Sequence, residues 1–137
     1  MRPDARREYE RWMKQAKIDL EDAEFNAQGG RYNLTCFLSQ QAAEKALKAY
    51  LYLQGHQVVW GHSAAELVVD ASDNDAEFST LKDRASLLDR FYIPTRYPNG
   101  LPGGIPSEAF NARDAEEAVQ AAEEIISFIS RKSVSQA

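Results

Sequence analysis

Two stretches of this chain carry side chains suited to holding an anion. One is Phe37-Leu38-Ser39-Gln40-Gln41-Ala42-Ala43-Glu44-Lys45-Ala46-Leu47-Lys48-Ala49; the other is Tyr92-Ile93-Pro94-Thr95-Arg96-Tyr97-Pro98. Arg96 lies between two prolines, which lower the entropy lost when a loop is ordered and so present a side chain at a defined place. Its guanidinium can take phosphate oxygens in bidentate fashion, and Tyr97 beside it can stack on a base. Gln40 and Glu44 stand one helical turn apart, on the side shared with Cys36, Ala43, Leu47 and Leu51, so both are expected to be partly buried. A carboxylate so placed needs a cation or several donors, or it stays protonated. Arg96 is the expected partner of Glu44. In the plainer reading the pair only fixes packing, with Arg96 tying its loop to Glu44 or Asp89. Lys45 and Lys48 share a narrow polar strip with Gln41, fit to meet phosphate or an acidic partner, or simply solvated. The ligand-binding candidates are therefore Arg96, Tyr97, Glu44, Lys45, Lys48 and Gln40. Asp19 sits beside the apolar stripe of the first helix and can reach the same polar region.

No residue is assigned a catalytic role by type and spacing alone. Histidine is the natural proton carrier near neutral pH, but His62 stands just before a capping sequence and His56 in a turn, where capping or packing is the simpler role. Neither belongs to a metal-ligand spacing such as His-Glu-x-x-His. Cys36, the one cysteine, lies on an apolar helix face and reads as inert core. Gly103-Gly104 follows no strand, so it is no phosphate loop. No metal and no cofactor are expected.

The elements that must position these residues are helices. Tyr9, Trp12, Met13, Ala16, Leu20, Ala23 and Ala27 recur at helical spacing, predicting a helix from about Asp4 to Gln28, ended by Gly29-Gly30. A second is expected from Tyr32 to Gln54. Its apolar residues almost surround it, which marks the central helix of a bundle. Ser63-Ala64-Ala65-Glu66 reads as a capping box for a short third helix ending near Asp70. A fourth carries Phe78, Leu81, Ala85, Leu88 and Tyr92 and is closed by Pro94. Residues 93–110 read as a long loop without regular structure, a kind often functional. The last helix starts after Asn111 with Asp114 three positions on, and the tail from Ser133 is expected to fray.

Composition agrees with this and narrows the function. A chain of 137 residues is one domain by size. A formal charge of −5 argues against strong non-specific nucleic-acid binding, though not against a local basic patch. One cysteine excludes an intramolecular disulfide. No run approaches a membrane span, and the N-terminus lacks the apolar stretch of a signal peptide, so a cytoplasmic location is expected.

The order and spacing of the two opening strings resemble the HEPN domain family. Asp19-Leu20 on the first helix, His62 ahead of the third and Asp114-Ala115 opening the last extend the resemblance over nearly the whole chain. It implies an all-α fold, an up-and-down four-helix bundle with one short extra helix, spanning 1–137 as a single domain. Many members are similar to metal-independent ribonucleases, in which an arginine is followed within one or two turns by a histidine. Two subunits then place two such motifs across a cleft. The arginine stabilises phosphorane charge while the histidine moves protons at the 2′-oxygen. Here no histidine follows any of Arg84, Arg90, Arg96 or Arg113; the last in the chain is His62. Arg96 without its histidine resembles the branch that accompanies minimal nucleotidyltransferases in toxin–antitoxin-like systems. What this implies is a homodimeric, nucleotide- or substrate-binding partner of a minimal nucleotidyltransferase, not an enzyme, with a nucleotide or RNA as ligand. The alternatives are a metal-independent ribonuclease toxin with a degenerate motif, using Arg96 with His62 or a tyrosine, and a non-catalytic helical adaptor.

Overall fold

The computed structural model describes residues 3–135. Six α-helices follow one another among them: α1 (Pro3–Gln28), α2 (Tyr32–Leu53), α3 (Ala64–Ser72), α4 (Lys82–Asp89), α5 (Pro106–Ala109) and α6 (Ala112–Val134). Two 3-10 turns, Ala76–Leu81 and Pro98–Gly100, lie between them, and the described residues hold no strand. α2 is the central rod and touches each of the other five helices. Its near-continuous apolar circumference, Ala42, Ala43, Ala46, Leu47, Ala49, Tyr50, Leu51 and Leu53, is buried. The core closes over it with Met13 and Ala16 of α1, Leu67 and Val68 of α3, Phe78, Leu88, and Ala122, Ile125 and Ile129 of α6. α1, α2, α6 and the rod made of the first 3-10 turn plus α4 form the four-helix bundle, with α3 as the short extra helix.

The helix ends follow local chemistry. Gly30 takes a positive φ of 76°, the left-handed turn that lets α2 double back on α1. Asn111 and Asp114 form a reciprocal capping box at the start of α6. At α3, Ser63 accepts from the Glu66 amide, while the free amides of Ala64 and Ala65 go to Asp89.

Three expectations are corrected. The fourth helix does not run unbroken to Tyr92. It is a 3-10 turn, then α4, then tight i→i−3 bonds through Arg90, Phe91 and Tyr92. Residues 93–110 are not devoid of regular structure. Pro98 and Pro106 each open a short helical turn, where a missing amide proton costs nothing. Ser133 and Val134 belong to α6, where Tyr9 donates to Ser133 Oγ at 2.7 Å and Arg6 to its carbonyl at 3.2 Å. Gln136 and Ala137 lie outside the described residues.

Candidate functional site

The expected Arg96–Glu44 pair is not formed. Among the described residues Arg96 makes no ion pair with Glu44 or Asp89. Its guanidinium instead sits within a cage of three rings, 4.4 Å from the centroid of Phe37, 4.6 Å from Tyr92 and 5.1 Å from Tyr97. Nε donates to the Tyr92 carbonyl at 2.8 Å. The two Nη groups carry no hydrogen bond or ion pair among the described residues. A guanidinium is weakly hydrated and flat, so it tolerates aromatic walls that an ammonium would not.

The loop that presents Arg96 is built to hold one shape. The Arg96 and Tyr97 amides bond the Ile93 carbonyl, Thr95 Oγ1 bonds the Phe91 carbonyl, and Asn33 at the start of α2 holds the Thr95 carbonyl at 3.1 Å. Gly100 folds the following turn back so closely that an added Cβ would lie 3.0 Å from Pro94 Cα.

Glu44 turns away from this cage. Only 4% of it is exposed, and it bonds Lys48 Nζ at 3.1 Å and faces His62 Nδ1 at 3.5 Å. Lys48, expected on a solvated strip, is itself buried, with its ammonium over the Trp12 ring. Two buried opposite charges make a better pair than either would alone, since an uncompensated one is strongly disfavoured. Lys45 leans the other way, onto buried Asp19, whose second contact is Gln15. Asp19 thus pairs with Lys45 and Gln15, apart from the Glu44 group.

His62 is the residue that spacing undervalued. Its ring stacks on Tyr92, centroids 5.3 Å apart at an interplanar angle of 17°. Its carbonyl is held at 2.9 Å by fully buried Gln40, whose own carbonyl accepts from Gln41. The next residue, Ser63, donates to Asp89, which also caps α3. An exposed imidazole is thereby fixed from the ring face, the ring edge and the backbone. Tyr92 is the shared wall: Arg96 lies over it and His62 stacks on it. Arg96, Tyr97, Tyr92 and His62 form one cluster, with Glu44 and Gln40 behind it and Lys45 and Lys48 further along α2. Tyr92 and Phe37 were legible only as helix residues, and Asp89 only as a candidate partner of Arg96. The i−4 spacing of Tyr92 from Arg96 was the one available signal.

Cys36 fits its expected inert role: burial, then the nearby Asp114 charge, pushes its thiol up to about 12. No cluster of histidine, cysteine and acidic groups able to hold a metal ion occurs among the described residues, and no helix there is long and apolar enough to cross a membrane.

Comparison with known proteins places these features in a family. The HEPN domain matches residues 9–132. A protein of Methanocaldococcus jannaschii named "Putative toxin MJ1304" is 31% identical over 127 residues, 86% of this chain and 83% of that one. Among solved structures, TT1696 from Thermus thermophilus superposes with a TM-score of 0.86 at 38% identity, covering 90% of this chain and 97% of its own. ST0689, described as an archaeal HEPN homologue, gives 0.75 at 40% identity over 90% and 96%. A HEPN domain protein from Thermotoga maritima gives 0.71 at 37% over 88% and 95%. The family match runs through the bundle and the loop that bears Arg96, and the chain belongs to the HEPN domain family.

Proposed function

We propose that this protein is the nucleotide- or RNA-binding member of a toxin–antitoxin-like pair, a homodimer whose partner is a minimal nucleotidyltransferase. The observation that carries the binding reading is Arg96. Its Nη edge is left without a partner among the described residues, its faces are walled by aromatic rings, and half-exposed Tyr97 stands beside it. Such an edge suits two phosphate oxygens, and Tyr97 a base. The relative from Methanocaldococcus jannaschii, named a toxin, supports the setting. Calorimetric titration with ATP, GTP and short RNA tests it. At least one is expected to bind, with Arg96→Ala weakening it by about 1.5–3 kcal/mol, the worth of hydrogen bonds to a charged group. No heat with any of them, or an unchanged Arg96→Ala, would count against it.

A second reading is favoured by one observation, the meeting of His62 and Arg96 on Tyr92. In this reading His62, from upstream, would stand in for the histidine missing downstream of the arginine. In a ribonuclease, His62 would take the proton of the 2′-hydroxyl as that oxygen attacks phosphorus, and Arg96 would stabilise the phosphorane. The bond from phosphorus to the 5′-oxygen would break, that oxygen taking a proton from water while His62 returns its own to solvent, and a 2′,3′-cyclic phosphate would remain. Incubation of purified protein with a mixed RNA pool decides. Cleavage lost in both His62→Ala and Arg96→Ala would support it, and an intact pool would leave binding alone.

A further inference from the structure

We infer that the groove between α1 and α2 beside Trp12 is a second anion subsite, so that the ligand is an oligonucleotide strand longer than one nucleotide. The inference rests on the binding reading above and extends it. The groove has a volume of about 520 Å³ and is lined by Glu8, Arg11, Trp12, Lys14, Gln15 and Lys45. Arg11, Lys14 and Lys45 stand there against Glu8 and, behind Lys45, Asp19, an excess of one positive charge in a chain whose formal charge is −5. That local reversal of sign concentrates an anion where the molecule as a whole repels it.

The groove is furnished for more than charge. Trp12 leans on Tyr52, ring centroids 5.4 Å apart, and the Lys48 ammonium lies 5.8 Å from its centroid. The indole is half-buried and fixed, as a stacking wall must be. Asp19, held by Gln15 at 2.8 Å, steadies Lys45 at the groove edge. Lys14 has no ion-pair partner among the described residues. The Arg11–Glu8 pair is solvent-exposed and cheap to break.

Continuity with the Arg96 cage comes from α2. Phe37, Gln41, Lys45 and Lys48 recur on one helical face. Phe37 is a wall of the cage and Lys45 a wall of the groove. From Phe37 to Lys45 the axial rise is about 12 Å. A strand lying along α2 from the Arg96 cage would pass Lys45 and meet Lys14 and Arg11 on the facing wall.

The test compares labelled ATP with a labelled octaribonucleotide by fluorescence anisotropy, over a range of salt. The proteins are the full chain, the double variant Arg11→Gln, Lys14→Gln, and Arg96→Ala. Both exposed substitutions leave the Arg96 cage untouched. The double variant is expected to bind ATP as the full chain does but to lose about tenfold in octamer affinity at low salt. Its slope of log affinity against log salt should fall by about 1.4, the value for two single-strand phosphate contacts. Arg96→Ala weakens both ligands. An octamer affinity and salt slope unchanged in the double variant, with Arg96→Ala still defective, would overturn the second subsite and leave the Arg96 reading standing. Absence of binding by either ligand to the full chain would overturn both.

Discussion

Arg96 shows how much of a residue's role is decided by what its neighbours leave free. Nε is committed to a backbone carbonyl and the faces to three rings, so the Nη edge alone can take a ligand. Arg96→Lys should therefore bind ligand almost as poorly as Arg96→Ala, because a compact ammonium cannot fill a flat slot or bond two oxygens at once; side-by-side titrations check this. Cys36 makes the opposite case. A thiol raised to about 12 stays protonated at pH 8, so iodoacetamide should fail to label the folded chain and label it readily after unfolding, as mass spectrometry would show. Ser39 Oγ is buried with no hydrogen-bond partner in the described structure. Removing an unsatisfied buried hydroxyl removes its desolvation cost, so Ser39→Ala should stabilise by about 1 kcal/mol in chemical denaturation.

At the scale of elements, one carboxylate joins three of them. Asp89 ends α4, caps the amides of Ala64 and Ala65 at α3, bonds Ser63, and meets Gln40 of α2 at 3.4 Å. Asp89→Ala should cost about 2 kcal/mol in denaturation and loosen His62, seen as loss of a fixed imidazole environment by NMR. This junction also marks the boundary of what was legible from the chain. Helices α1, α2 and α6 were readable because their stripes are long and their ends carry Gly30, Asn111 and Asp114. The break after Leu81 was not, since a 3-10 turn and an α-helix share the same short-range apolar spacing. Arg96 was found by its local setting between prolines. Its partner was misassigned to Glu44, because no spacing rule says which way a buried and a half-buried group from distant segments turn. Lys48, one turn along the same helix, gave Glu44 a cation that cost no loop closure.

Across the whole molecule, buried charge is gathered on the α2 face toward α1 and His62, while α6 packs against α2 with alanine and isoleucine. The bundle's far end is tied by Lys132 to Asp75 and Glu77. The Lys132 bond holds the Asp75 carboxyl below its ordinary value. Its contribution to stability is thus present above the ordinary value and is lost as pH falls through the lowered one. Asp75→Asn should flatten that acid limb of the unfolding curve followed by circular dichroism. The Arg96 side chain is where binding is most directly read. Its Nε–H resonance can be followed by NMR while a short RNA is added. A saturable shift of that resonance, centred on the same concentration as the binding isotherm, is the expected result. RNA that binds while the Arg96 signal stays in place, or that does not bind at all, would contradict it.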